Sequence, residues 1–297
     1  MKIRITLFLS LCGLWSAAQQ LPISSLYDMH GIMHNPATVG VNKYASIGAD
    51  FRTQWSSMPG SPTTGMLFGN TSARNGLYGI GGYVYKDVTG PTNRTGVQPE
   101  VAYIIRMKDE SSFSLGISFD LQQFAYEKDK LQVPLGNDPV IAGKDTRFKF
   151  DAGFGVAYTT KKFQVGAAVA QLLQSKLDLY QGTGTTNVQS QQYRHFYFHG
   201  KYDFNVDEMT HIIPNFLVVY LPNAPTEFQG GIRVEHNNLF WYGLSLRAHQ
   251  SWMLSAGLKI MNKFNIGYSF DLYSTPLSVY DGGANGHEIM LRYDFMK

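Results

Sequence analysis

The chain has 297 residues, room for one large domain or two small ones. Aromatic residues make up 14% and charged residues only 16%, against roughly 25% charged in soluble domains. Yet mean hydropathy is −0.17, so apolar residues are diluted by polar ones at fine scale, as along amphipathic strands. A net charge of +3 without a basic cluster, and without an acidic or basic tail, argues against a nucleic-acid partner.

Residues 1–18 read as a secretory signal. Lys2 and Arg4 form its positive start, Ile5 to Trp15 its apolar stretch, and Ser16-Ala17-Ala18 the small residues before a cut ahead of Gln19. The single cysteine, Cys12, falls inside it, so the mature chain is expected to hold no disulfide, thiol chemistry or cysteine-based metal site. Residues 19–43 do not alternate. With Pro22, Pro36 and Gly40 they read as an extended segment, either a plug inside a lumen or a periplasmic extension.

From Tyr44 onward the period is two. Phe113, Leu115, Ile117, Phe119 and Leu121 oppose Ser114, Gly116, Ser118, Asp120 and Gln122. Phe148, Phe150, Phe154 and Tyr158 oppose Lys149, Asp151, Gly153, Gly155 and Ala157. Phe264, Ile266, Tyr268 and Phe270 oppose Asn265, Gly267, Ser269 and Asp271, and Ile289, Leu291, Tyr293 and Phe295 oppose Glu288, Met290, Arg292 and Asp294. The apolar set is expected to face lipid, so Arg at Ile266 should be costly and Arg at Asn265 mild. The predicted strands are 44–55, 63–71, 78–87, 96–106, 112–126, 147–159, 162–172, 192–202, 211–221, 226–236, 240–249, 252–260, 264–273 and 287–295. Most match the ~9–11 tilted residues that cross a bilayer. No later stretch approaches the roughly 20 apolar residues of a membrane helix, and the alternative that satisfies every backbone group in lipid is a closed barrel.

Connection lengths alternate. Those at 72–77, 107–111, 160–161, 203–210, 237–239 and 261–263 are short, some with turn residues such as Asn237-Asn238 and Asn262-Lys263; every long one, 127–146, 173–191 and 274–286, falls in the other set. The fold class is therefore all-β: an outer-membrane antiparallel β-barrel of about fourteen strands over 44–297, with both termini expected in the periplasm.

Catalysis is not expected. There is no Gly-x-Ser-x-Gly elbow, and Gly79-Ile80-Gly81-Gly82 precedes no helix, so it is read as small lumen residues or a strand bend rather than a phosphate loop. His195 and His199 on one strand stand about 13 Å apart at roughly 3.3 Å per residue, too far to share a metal. His30 and His34 lie in the irregular segment 19–43 and are not expected to hold a metal or cofactor. Arg233, Glu235, Arg247, Lys259, Asp271, Glu288, Arg292 and Asp294 fall on the lumen face of the late strands, and their mixed signs favour pairing over an open pore.

Several motifs together resemble the PorP/SprF family, outer-membrane components linked to type IX secretion and gliding motility. These are Asn35-Pro36-Ala37 with Gly40; Phe51-Arg52-Thr53-Gln54-Trp55 and the turn at Pro59 to Thr64; Gly79-Ile80-Gly81-Gly82 leading to Lys86-Asp87 and Gly90; and Gly267 to Asp271 with Gly286-His287-Glu288-Ile289-Met290-Leu291-Arg292-Tyr293. The resemblance covers about 19–297. It implies partnership rather than an enzyme: association with periplasmic ring lipoproteins of the secretion machinery, or anchoring of a secreted surface protein or adhesin. The competing class is a channel or hydrophobic-substrate transporter with 19–43 as a hatch. Loops 127–146, 173–191 and 274–286 with 19–43 are the expected partner surface. Tyr293 and Phe295 are expected to signal to the barrel-assembly machinery.

Overall fold

A computed structural model describes residues 23–130, 143–175, 192–222, 224–275, 278–279, 282 and 285–296. The strands are β1 (Ala45–Thr53), β2 (Thr63–Ala73), β3 (Tyr78–Thr89), β4 (Thr92–Arg106), β5 (Ser112–Glu127), β6 (Lys144–Thr159), β7 (Phe163–Ala170), β8 (His195–Tyr202), β9 (Phe204–Asn205), β10 (Thr210–Tyr220), β11 (Glu227–His236), β12 (Phe240–Arg247), β13 (Ser251–Ile260), β14 (Phe264–Tyr273) and β15 (Gly286–Phe295). Each pairs antiparallel with its chain neighbour, except that β8 pairs with β10 while two-residue β9 adds beside it. β15 returns to β1, with Ala45 opposite Phe295 and Thr53 opposite His287, and the ring of fourteen long strands closes. No helix among the described residues is long and apolar enough to cross a membrane. The proposed signal 1–18 and most of the three long connections lie outside the described residues.

Every expected strand has its counterpart. The largest shift is at β4, which begins at Thr92. There Asn93, Arg94 and Thr95 carry no apolar alternation, yet they continue the ladder with β3 and β5. Backbone pairing outlasts the apolar band that made the strand visible.

The face assignment follows the pleat. On β14, Phe264, Ile266 and Tyr268 are exposed at 52%, 38% and 43%, while Asn265, Ser269 and Asp271 are wholly buried. Leu244, Leu254 and Phe270 line up across β12, β13 and β14 as one outward row in the middle of the wall.

We call the end holding Ala45 and Phe295 the chain-end rim. Its turns are tight. Asn237 and Asn238 both have positive φ (58° and 49°), as do Met261 and Asn262 (53° and 58°), the two-residue form whose twist suits a hairpin. The second turn is thus one residue earlier than the expected Asn262-Lys263. The far rim is uneven. β5 and β6 run 16 residues and β7 and β8 only eight, so β6 meets β7 only from Phe154 to Thr159.

Candidate functional site: a plugged, charged lumen

Residues 24–41 lie inside the ring. Two 3-10 turns, Gly31–Met33 and Pro36–Thr38, shape this segment. Asn35 builds the second: its Oδ1 accepts from Ala37 N at 2.9 Å, and Pro36 occupies the first helical position, where no amide donor is needed. The Asn35 amide also donates to Val156 O at 3.0 Å and faces His199 Nε2 at 2.9 Å, which ties the turn to β6 and β8. Ser114 Oγ of β5 donates to Ala37 O at 2.7 Å.

The wall is shaped to receive this backbone. A Cβ added at Gly116 would fall on Pro36 and Ala37, at Gly155 on Asn35 Oδ1, at Gly166 on His199, and at Gly79 on the carbonyl of Val39. Gly79, read from sequence as a lumen filler or bend, is a contact surface for the plug.

Near the far rim the plug is held by buried charge. Arg52 of β1 is directly opposite Glu288 of β15. Its Nη1 donates to Glu288 Oε2 at 2.8 Å and its Nη2 to Asp271 Oδ2 at 2.6 Å, with Arg52 only 1% exposed and both carboxylates wholly buried. Arg247 adds contacts at 3.5 Å to Asp271 and to Glu227. The plug enters this network at two serines. Ser24 Oγ donates to Glu288 Oε1 at 2.5 Å, Ser25 N to Glu288 Oε2 at 2.7 Å, and Ser25 Oγ to Asp271 Oδ1 at 2.7 Å while accepting from Arg52 Nη1. Arg52, Asp271 and Glu288, far apart in sequence, thus share one node. Gly286 lies opposite Asp271 in the ladder, where a Cβ would crowd Asp271 and the Tyr273 hydroxyl.

The other motif residues sit around this node. Trp55, at positive φ, packs on Tyr273 with ring centroids 6.1 Å apart, and Gln54 N donates to Pro62 O across the β1–β2 loop. His287 Nδ1 is 2.7 Å from the Tyr268 hydroxyl. Gly40, at φ +65°, is pressed against Gly79 and Thr71. At the chain-end rim Tyr293 meets both Phe264 and Phe295 edge-on at 4.7 Å.

The remaining lumen charges pair toward the chain-end rim. Arg233 Nε donates to Asp28 Oδ2 of the plug at 2.7 Å and its Nη1 contacts Glu235, which also takes Lys259 at 3.3 Å. Lys201 reaches Asp28 O at 3.2 Å, and Arg292 pairs with Asp294 at 3.0 Å while touching Met29 O. Asn265 is wholly buried and donates to Asp294 Oδ2 at 2.9 Å, beside the charged space at this rim.

Two cavities flank the plug. The one toward the far rim is about 50 Å³, bounded by Met33, Met66, Tyr83, Tyr85 and Tyr197 with polar Gln98 and Asp120. The chain-end vestibule is about 340 Å³ and is lined by charges including Lys162, Lys201, Asp203, Arg233 and Lys259. His195 and His199 are both buried on β8, and the His199 ring stands 4.9 Å from that of His34. His30 faces an acid of β1 rather than its sequence neighbour Asp28, which pairs with Arg233: Asp50 Oδ2 lies 3.2 Å from His30 Nε2. Sequence reasoning also missed Ser24, Ser25, Tyr27 and Asp28. Lying in no motif and no periodic stretch, they gave no signal.

A family model described as type IX secretion system membrane protein PorP/SprF matches residues 16–293. No curated protein sequence matches the chain. Among solved structures, the CymD monoaromatic hydrocarbon channel is similar at TM-score 0.50 and 10% identity, covering 89% of this chain and 91% of that one. A Pseudomonas aeruginosa FadL homologue is similar at TM-score 0.50 and 10% identity, covering 88% and 93%. At that identity the likeness is one of fold: an outer-membrane barrel.

Proposed function

Because this chain belongs to the PorP/SprF family of type IX secretion system membrane proteins, we propose that it is a non-enzymatic outer-membrane barrel that partners the secretion machinery and anchors or assists a secreted surface protein or adhesin. In this reading the signal is cut before Gln19, both termini face the periplasm, and the far rim is the cell surface. The observation that carries it is the plug lock: Ser24 and Ser25 bound to the Arg52–Asp271–Glu288 node at one level and Asp28 to Arg233 at another. A lumen closed by such bonds suits holding a partner better than passing a solute. Loops 127–146, 173–191 and 274–286 then carry recognition above a rigid floor.

The second reading is a channel or hydrophobic-substrate transporter with the plug as hatch. It is favoured by the Met- and Tyr-lined cavity on the far side and by likeness in fold to a hydrocarbon channel. Cross-linking and affinity capture from native outer membrane, paired with planar-bilayer recording, separates the two. The anchor reading expects capture of a surface protein or of the periplasmic ring, and a closed baseline. A large steady conductance with neither partner captured would overturn it. Short turns in place of 173–191 and 274–286 should keep the barrel folded but weaken capture of a surface partner.

A further inference from the structure

We propose that His30 of the plug, Asp50 of β1 and Glu288 of β15 form a site for a divalent transition-metal cation, with Zn²⁺ the best fit, that staples the plug to the seam where the barrel closes. One ligand atom from each residue lies within 4.8 Å of the other two, and all three residues are buried. The three come from the plug and from the two strands, first and last, that meet at the seam.

Three observations point to a ligand rather than to a chance cluster. First, His30 is 2% exposed, and neither ring nitrogen has a hydrogen-bond partner among the described residues; Asp50 Oδ2, in a residue 8% exposed, has none either. His30 Nε2 and Asp50 Oδ2 face each other at 3.2 Å without forming a hydrogen bond. Buried polar atoms left in this state are costly, and each calls for an explanation. Second, the charge around the node does not balance. Four carboxylates, Asp50, Glu227, Asp271 and Glu288, are opposed by two guanidinium groups, Arg52 and Arg247. A divalent cation closes that gap, and buried charges persist only when paired or metal-bound. Third, the donor set is selective. One imidazole with two carboxylates suits Zn²⁺, Glu288 binding in exchange for one of the donors its oxygens now accept from, Ser24 Oγ, Ser25 N or Arg52 Nη1, and a fourth position being open to water. Ca²⁺ and Mg²⁺ prefer all-oxygen shells. Phe68 packs edge-on against His30 at 4.9 Å and fixes the ring where its nitrogens face Asp50.

The site does not depend on the anchoring reading, since a staple would serve a fixed floor or a latched hatch alike.

The test uses the full-length barrel, purified without a polyhistidine tag and measured by elemental analysis after a wash that strips loosely held ions. We expect about one equivalent of Zn²⁺ per chain in the wild type, restored by Zn²⁺ after chelation and not by Ca²⁺. His30→Gln and Asp50→Asn should each lower the content at least about tenfold, because removing a protein ligand disables a three-ligand site; His236→Asn, on β11 beside Thr210 and Phe240, should retain it. Zinc-free wild type that takes up none on soaking would overturn the proposal. So would variants that hold zinc as the wild type does. If either variant fails to fold, Co²⁺ loading of the wild type decides. Visible d–d bands lost on chelation support the site, and their absence refutes it.

Discussion

Replacing Arg52 with Met tests whether the buried node holds the plug and seam together. The guanidinium is 1% exposed and bridges two carboxylates that have no access to solvent. Its loss leaves Glu288 with the donors of Ser24, Ser25 and Leu26, and Asp271 with Ser25 and the longer contact from Arg247. Breaking a buried pair by removing one partner costs about 3–5 kcal/mol. The surviving donors place R52M toward the lower end, about 3 kcal/mol. Urea unfolding of the barrel in lipid vesicles, followed by tryptophan fluorescence, reads this as a shift in midpoint at constant slope. The double variant R52M/D271N removes one stranded charge and should regain at least about half of the loss, because the penalty lies mainly in the uncompensated carboxylate. R52M that unfolds within about 0.5 kcal/mol of wild type, the range of a surface substitution, would refute the node as a structural lock. So would a double variant no better than the single.

Other substitutions probe the plug, the lipid face and the closing strand. Gly116→Val should displace the plug, because its Cβ would fall on the backbone of Pro36 and Ala37; bilayer recording should then show conductance steps absent from the wild type. Leu254→Arg, in the outward row between Leu244 and Phe270, should cost about 2–4 kcal/mol near the midplane. Asn265→Arg, although it points inward, should also lower the urea midpoint, because it loses the bond to Asp294 and sets a third cation between Lys259 and Arg292, its partners on the adjacent strands. Deleting 287–297 removes nearly all of β15 and exposes the paired edges of β1 and β14, so heat-modifiable barrel should disappear from outer-membrane fractions.

The wall was legible because it is dictated locally. Alternation fixes which of Phe264, Asn265, Ile266 and Gly267 faces out, and one lipid belt repeats that rule around the ring. Strand ends were less legible where a ladder continues through polar residues, as at Asn93 to Thr95. Lumen contacts were legible only in kind: charges of mixed sign were expected to pair, and they do, but with which partners was not. Arg52, Asp271 and Glu288 stood in the sequence as separate motif positions, and their meeting depends on the β1–β15 register and on where Ser25 enters. Asn265 carries the same lesson: its bond to Asp294 follows from the β14–β15 register and not from its own strand.

The plug also bears on what the lumen can do. Expelling residues 24–41 breaks the bonds from Ser24 to Glu288, from Ser25 to Glu288 and Asp271, from Tyr27 to Asn215, from Arg233 to Asp28 and from Ser114 to Ala37. At a net value of about 1 kcal/mol each, these six bonds disfavour the open state by a factor of about 10⁴, since 1.4 kcal/mol is tenfold. The apolar contacts of Leu26, Ile32 and Val39, all buried, add to that. A ligand that opened the barrel at equilibrium would have to prefer the open form by at least the same factor. A freely diffusing solute in a cavity of about 50 Å³ has little surface with which to generate such a preference. A hatch therefore needs an external force on the plug, whereas an anchor needs only that the plug stay where these bonds hold it.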